Sequence, residues 1–517
     1  MEPMIESLKR PEAYDHPVDS IELLQTHISW VLLTGEYAYK LKKPVDFGFV
    51  NFTTLERRQR FCDEEVRLNR RLAADLYLGV RPVYGPPERA ALHGTGKPIE
   101  WAVQMRQFSQ DRLMPAALER GEVKPGDFDQ LADTLADFHA AADAARAEDR
   151  FGDLASVLDP VNANFAALDR VPEAAGCVAE LRAWCDAEFA RLRPLFEERK
   201  RDRRIRECHG DLHLGNMVFR EGRIEVFDCL EFNASLRWVD VLSEIAFLVM
   251  DLAERKRPDA AYRVLNRWLE RTGDYAGLGT WRWYFVYRAL VRAKVAALRL
   301  SQGEQSAEER ASHHDDVRRY LALAKETVAP RPTGLIVTHG VSGTGKSFVT
   351  QSLCEDLGAV RIRSDVERKR LFGTWGQPGK TRLDGDPYRP EISRRLYEDL
   401  LPATARDVLQ AGFPTIVDAT YLRHKDRERM RQVAADANVP FLLLDFQVSP
   451  ETARARIAER QRAGDDPSDA DTRILDCQLE ALEPLTGDEA ACSIRIGEGA
   501  DRHAVEKDIR GRLRISS

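Results

Sequence analysis

The chain has 517 residues, 43% of them hydrophobic and 31% charged, with a formal net charge of −7. At roughly 150 residues per domain that length suggests about three compact units, each able to bury a core. The acidic balance excludes a global basic field of the kind that drives non-specific nucleic-acid binding, and leaves room only for a local basic groove.

No apolar run approaches the ~20 residues of a membrane helix. The longest, Ile245–Met250 and Phe441–Leu444, read as core. Met1–Arg10 carries Glu2 and Glu6 and no apolar stretch, so no secretory leader is expected. Eight cysteines lie scattered without a CxxC pair or a Cys/His cluster. That pattern predicts reduced thiols, no zinc site and a soluble cytoplasmic protein.

In chain order, His27–Leu33 and Glu36–Lys42 flank Thr34-Gly35, a hairpin signal. Leu55–Leu76 reads as helix, with Phe61, Val66, Leu68 and Leu72 apolar. A second hairpin is expected around Gly94-Thr95-Gly96, between Arg89–His93 and Pro98–Met105. Residues from Phe128 to about Arg204 are helical in pattern, strands return at Met217–Arg220 and Ile224–Phe227, and helices run on to Thr327. Lys40 and Lys42 share a face of the early strand, and either can pair with α/β-phosphates. Glu65, on the following helix, is the natural ion-pair partner for that lysine; a surface charge pattern with Glu64, Arg67 and Arg70 is the plainer reading.

Between the helical stretches stands His209-Gly-Asp211-Leu-His-Leu-Gly-Asn216, then Val226-Phe-Asp228. The spacing H-x-D-x-x-x-x-N is that of a kinase catalytic loop. Asp211 would accept the proton of an attacking hydroxyl, Asn216 would ligate Mg²⁺ and Asp228 would hold the metal at the phosphates. Taken singly, the same residues read as a turn and a strand-end cap.

Ala329-Pro-Arg-Pro-Thr-Gly334 breaks the pattern. Beyond it, strands at Leu335–Thr338, Ala359–Ile362, Thr415–Val417 and Phe441–Phe446 alternate with helices, which predicts a parallel sheet. Gly340-Val341-Ser342-Gly343-Thr344-Gly345-Lys346-Ser347 follows the first strand and opens a helix, the P-loop context. Its amides would cradle phosphate, Lys346 would reach the outer phosphates and Ser347 would ligate Mg²⁺. Asp365, at the end of the second strand, would be the base, with Arg368 holding an anionic group; a helix-capping Asp is the alternative. Asp418, closing the third strand, would either hold Mg²⁺ through water or orient Asp365, against a structural role on loop amides. Arg456 and Arg460 share one face of the helix begun at Ser449-Pro-Glu-Thr, and so form a candidate lid; Asp465-Asp466-Pro-Ser-Asp469 reads as its edge.

These motifs carry two resemblances. Residues 334–500 resemble the P-loop kinase group of polynucleotide 5′-hydroxyl kinases, gluconate kinases and zeta toxins, which implies Asp365 as general base and a lid arginine on the transferred phosphoryl group. The first half resembles the aminoglycoside phosphotransferase superfamily, most strongly over 205–250. That implies Lys42 as the phosphate lysine, from the Leu-Lys-Lys-Pro run, Val103–Ser109 as the hinge at adenine, and Asp240 as a brace for the catalytic loop. Gly210, Asp228-Cys-Leu and the missing APE motif set the chain apart from phosphorylation-switched protein kinases.

The expected fold is α/β and α+β: a bilobal kinase-like domain (1–110 and 111–328), then a P-loop domain (333–517) with a parallel sheet flanked by helices. The expected function is ATP- and Mg²⁺-dependent phosphoryl transfer at two sites, to hydroxyls of small molecules or sugars. A nucleic-acid 5′-hydroxyl kinase in the P-loop domain, and a non-catalytic nucleotide-binding regulator in one domain, are the alternatives. No membrane partner is expected, and the sequence leaves the oligomeric state open.

Overall fold

The computed structural model describes residues 1–48, 50–300, 305–375, 389–463 and 472–514, with side chains of 460–463 excepted. The chain gathers into two compact units. The first comprises Met1–Asp127, Ala141–Gly152 and Lys200–Glu244; the second comprises Phe128–Ala140, Asp153–Arg199 and Ile245–Ser517. Segment 1–110 therefore lies in the first unit, segment 333–517 in the second, and segment 111–328 contributes to both.

The first unit is built on five antiparallel strands: β1 (Glu22–Gln25), β2 (Ser29–Leu33), β3 (Tyr37–Lys42), β4 (Tyr77–Val83) and β5 (Glu100–Arg106). Their order is β1-β2-β3-β5-β4. The first hairpin forms as the sequence predicts: Gly35 takes φ 99°, and the Thr34 hydroxyl donates to the Tyr37 carbonyl at 2.7 Å. The second differs. β5 pairs with β4, not with Arg89–His93, of which only Ala91 bridges back to Tyr84. Pro82 and a register shift at Gly79 hide β4 from a periodicity reading, and both are tolerated because β4 is an edge strand. Val103–Arg106, expected at the hinge, lie within β5.

α1 (Leu55–Asn69) starts where Thr54 accepts the Arg57 amide. It ends seven residues before the expected Leu76. Asn69 commits its side chain to the Cys229 amide at 2.9 Å, Arg70 turns back to the Tyr77 carbonyl, and the chain is released into β4. Tertiary pairing overrides helical propensity here. Two short ladders complete the unit: β6 (Ile205–Glu207) with β9 (Trp238–Asp240), and β7 (Met217–Arg220) with β8 (Arg223–Val226). Helix α2 (Val241–Glu254) follows, its first turn belonging to this unit.

The second unit joins helices to a parallel sheet. α3 (Pro258–Thr272) ends at Gly273 in the left-handed region, φ 68°, against Arg370. The sheet contains β10 (Leu335–His339), β11 (Val360–Arg363), β12 (Thr415–Asp418), β13 (Phe441–Phe446) and β14 (Ser493–Ile496), in the order β11-β12-β10-β13-β14. All four pairings are parallel. β10, β11 and β12 are buried along their whole length, as strands covered on both faces must be. Ile336, Ile416, Leu442 and Leu444 pack with Leu353 and Cys354 of α4 (Lys346–Leu357). α5 (Ser364–Leu371), α6 (Pro450–Ala463) and α7 (Thr472–Glu480) carry the remaining site residues. Among the described residues no helix is long and apolar enough to cross a membrane.

Candidate active sites

The first candidate site lies in the first unit, where the loop between β6 and β7 meets β3 and α1. His209 is buried, and burial lowers its pKa. Its Nε2 lies 2.9 Å from the Phe227 carbonyl, which can only accept, and its Nδ1 lies 3.3 Å from the Asp211 amide, which can only donate. The proton is therefore on Nε2, and the ring fixes the backbone on both sides of the site. The Asp211 carboxylate accepts from Asn216 Nδ2 at 2.9 Å and faces His213 Nε2 at 3.4 Å. Asn216 also donates to the Asp211 carbonyl, so its amide hydrogens point into the loop.

Two lysines enter from β3. Lys40 Nζ lies 2.6 Å from Asp228 Oδ1 and 2.8 Å from Glu65 Oε1. Lys42 Nζ lies 2.7 Å from Glu65 Oε2 and also pairs with Glu231. Burial works against both charges, but Asp228 and Glu65 around Lys40, and Glu231 and Glu65 around Lys42, hold both lysines above the ordinary value. Glu65 is held below the usual carboxylate range by the two ammonium groups despite its burial.

The surroundings of the two lysines differ, and Lys42, preferred from the resemblance, is the more enclosed. Its side chain is 0% exposed and enclosed by two carboxylates, whereas Lys40 retains 13% exposure beside Asp228. The surface-charge reading of Glu65 fails too, because its side chain is fully buried. Asp228 itself adopts φ 62°, a left-handed conformation that aspartate tolerates better than most residues. The amides of His209 and Gly210 are held by Glu244 of α2, at 2.8 and 2.9 Å, while Asp240 accepts the Leu242 amide. Glu231 and Glu244 carry no motif; the only signal was an acid three or four residues beyond each recognised one.

The second candidate site surrounds the P-loop in the second unit. A cavity of about 630 Å³ is lined by Ser342, Gly343, Gly345, Lys346, Ser347, Asp365, Arg368, Asp418 and Arg456, among others. Gly340 takes φ 133°, and a Cβ on Gly343 would stand 2.5 Å from the Ala453 carbonyl oxygen, so α6 passes too close for any side chain there. Lys346 Nζ donates to the carbonyls of Gly340 and Val341, at 2.8 and 2.6 Å, across the loop it closes. The Thr344 hydroxyl donates to the Val341 carbonyl at 2.9 Å. Ser342 donates its amide to Gln478 of α7 at 2.7 Å, a contact without any sequence signal.

Asp365 is half-buried at the cavity wall. α5 is capped at Arg363 with no side-chain cap bond, so Asp365 does not serve as its cap. Arg368 Nη1 donates to the Ser393 hydroxyl at 3.1 Å, and Arg456 Nη1 to the Thr344 carbonyl at 3.3 Å. Asp418 Oδ2 accepts from the Thr350 hydroxyl at 3.1 Å. The Arg460 side chain and Asp465–Asp469 lie outside the described residues.

A catalytic-loop acid in one unit and a phosphate loop beside an acid-lined cavity in the other define an ATP-dependent phosphotransferase, and the family comparisons agree. Residues 50–284 match the Phosphotransferase enzyme family, and residues 335–485 match an AAA domain. The uncharacterized protein Rv2004c of Mycobacterium tuberculosis (strain H37Rv) is 31% identical over 461 residues, 87% of this chain and 89% of that one. The chain belongs to the family of that mycobacterial protein, as a fusion of a phosphotransferase-family domain with a P-loop kinase domain.

Among solved structures, a gluconokinase from Sinorhizobium meliloti 1021 is 22% identical and covers 36% of this chain and 93% of its own, with a TM-score of 0.23. The GDP complex of aminoglycoside 2′-phosphotransferase-IIIa is 14% identical and covers 60% of this chain and 94% of its own, with a TM-score of 0.37. These likenesses say nothing about substrate.

Proposed function

We propose that the chain is a bifunctional kinase, in which each unit transfers the γ-phosphoryl group of ATP to a hydroxyl of a small molecule or sugar. The observation that carries this reading is a repeated juxtaposition: a carboxylate, oxygen ligands for a hard cation and a lysine meet at Asp211/Asn216/Asp228/Lys40 and again at Asp365/Ser347/Asp418/Lys346. In each, the acceptor oxygen attacks the γ-phosphorus, ADP leaves, and the hydroxyl proton passes to Asp211 or Asp365. Positioning and charge neutralisation are the main contributions required of the protein.

The donor sets are all oxygen, which fits magnesium. Asn216 and Asp228 would hold it in the first unit, with the Asn216 amide nitrogen already committed to Asp211 and its oxygen left as the ligand. Ser347 and Asp418 would hold it in the second. Bound there, it would neutralise charge on the phosphates. Lys40 takes the phosphate role, and Arg368, Arg456 and Arg460 would offset charge on acceptor and transferred group. Segments 1–110, 111–328 and 333–517 are the domains of this reading. Its place is the cytoplasm, consistent with eight free cysteines.

The nucleic-acid alternative loses part of its support from the basic run Arg361, Arg363 and Arg368–Arg370, of which Arg363 and Arg368 line the cavity. Arg361 and Arg370 are buried and committed to Glu270 and Glu367, and do not form an open phosphate track. A decisive test incubates wild type, Asp211→Asn and Asp365→Asn with labelled ATP and a panel of sugars, aminoglycosides and 5′-hydroxyl oligonucleotides. Each variant should lose transfer to one class of small acceptor and keep the other. Transfer to oligonucleotides that disappears only in Asp365→Asn would instead establish the nucleic-acid reading.

A further inference from the structure

β11 is a terminal strand of the parallel sheet, and α3 of the same compact unit takes the place of a neighbour. Asn266 acts as a strand would: its Nδ2 donates to the Ala359 carbonyl at 2.9 Å and its Oδ1 accepts the Arg361 amide at 2.7 Å. Tyr275 donates its hydroxyl to the Arg361 carbonyl at 3.2 Å. The free edge of a terminal strand is thereby satisfied by side chains.

Glu270 stands one turn beyond Asn266 on the same face. Its Oε1 lies 2.7 Å from Arg361 Nη2, and its Oε2 lies 3.6 Å from Arg363 Nη1. The Glu270 and Arg361 side chains are 2% and 4% exposed, so water contributes little to holding this pair. Arg361 uses the rest of its fork on α4. Nη1 donates to the Ser347 carbonyl at 3.0 Å and to the Thr350 hydroxyl at 3.3 Å, and Nη2 donates to Gln351 at 2.7 Å. Thr350 in turn donates to Asp418. A continuous chain of contacts therefore runs from Glu270 through Arg361 to the residue that bears the Ser347 hydroxyl and to the Asp418 carboxylate.

The origin of the acid matters. Glu270 falls within residues 50–284, matched by the Phosphotransferase enzyme family, while Ser347, Arg361 and Asp418 fall within the 335–485 match to the AAA domain. We infer that Glu270 is a positioning residue of the P-loop site, which through Arg361 orients the Ser347 and Asp418 oxygens toward magnesium, so that a helix of the first family's stretch completes the second family's site. This rests on the reading of Ser347 and Asp418 as metal ligands. An amide at position 270 keeps the volume and loses the charge that directs a guanidinium fork. Residues that orient metal ligands typically change metal affinity by about 10–100-fold when altered.

The test measures ADP binding calorimetrically across a magnesium titration, with full-length wild type, Glu270→Gln, Glu270→Asp, Arg361→Gln and the double variant Glu270→Gln/Arg361→Gln. The magnesium concentration for half-maximal effect should rise about tenfold in Glu270→Gln, while metal-free ADP affinity stays within about twofold. Glu270→Asp should recover most of the loss, and Glu270→Gln should add nothing to Arg361→Gln. An unchanged magnesium dependence in a folded Glu270→Gln protein overturns the inference. So does an equal weakening of metal-free and metal-bound affinities, which a merely structural role would give. Should Glu270→Gln fail to fold, the Arg361→Gln titration decides by the same split, an unshifted midpoint overturning the inference. Ser347→Ala separates the underlying reading: if it leaves the magnesium dependence intact, the ligand assignment fails whatever Glu270 does.

Discussion

Lys40 and Lys42 stand two residues apart on one face of β3, and their surroundings divide their roles. Lys42 compensates Glu65 and Glu231 inside the sheet–helix layer, and its removal leaves two buried carboxylates with one fewer cation. Breaking such a pair costs about 3–5 kcal/mol. Lys40 reaches the loop that carries Asp228, and Glu65 would still have Lys42 if Lys40 were lost. Lys42→Met should therefore lower stability by about 3–5 kcal/mol in chemical denaturation. Lys40→Met should stay folded and raise the ATP KM of the first unit's reaction about tenfold or more, the loss of a hydrogen bond to a charged group. A Lys40→Met enzyme with unaltered ATP KM would return the phosphate role to Lys42. Sequence spacing could place both lysines on one face. It could not report which one Glu231 encloses, because that contact joins residues 189 positions apart.

At the scale of elements, α1 and the turn that follows it are tied to the strand and loop ahead of His209. Arg71 Nη1 donates to the Glu207 carbonyl at 2.6 Å and Nη2 to the Cys208 carbonyl at 3.1 Å, while Arg67 pairs with Glu207 at 2.8 Å. Arg237 links Glu64 of α1 to Glu207 as well. The helix that carries Glu65 is thus fixed to the strand that leads into His209. Arg71→Met removes two charge-assisted bonds to carbonyls, worth about 1.5–3 kcal/mol each at most. The expected outcome is a loss of about 2–4 kcal/mol in urea denaturation, together with a lowered kcat for the reaction that depends on Asp211. Full kcat in a destabilised Arg71→Met protein would show that the tie serves folding alone.

The elements best read from sequence were those with a strong local signature: the Thr34-Gly35 hairpin, the strand–P-loop–helix unit and the buried runs of β10, β12 and β13. Those missed have none. β9 is three residues long, β14 alternates over only Ser493–Ile496, and β4 carries both Gly79 and Pro82. Their strand character comes from partners distant in the chain, Ile205–Glu207 for β9 and Glu100–Arg106 for β4. The same cause hid Glu244 and Gln478, whose roles exist only once a loop has been folded over them.

On the scale of the whole molecule, the Pro-rich stretch at Ala329–Gly334 marks a change of sequence pattern, but the second compact unit extends to both sides of it. Trp281 and Phe413 pack with ring centroids 6.2 Å apart, Arg263 pairs with Glu355 at 2.9 Å, and a Cβ on Gly358 would stand 2.9 Å from the Tyr262 ring. With Asn266, Glu270 and Tyr275 on β11, these contacts form an apolar and buried-ionic interface. An isolated 333–517 piece would lack Asn266, Glu270 and Tyr275, and so leave the β11 edge and the Arg361 guanidinium without these partners.

A protease site inserted between Pro330 and Pro332 of the full chain tests whether the linker or the interface holds the unit together. Cleavage removes only the tether, which lowers effective concentration without touching a contact. The two pieces should co-elute in gel filtration at micromolar concentration and keep magnesium-dependent ADP binding. After separation in urea and dilution, the C-terminal piece alone should bind ADP with a weakened magnesium dependence, restored when the N-terminal piece is added back. Pieces that part on cleavage, with the C-terminal one binding ADP as the intact chain does, would show the P-loop domain to be self-sufficient.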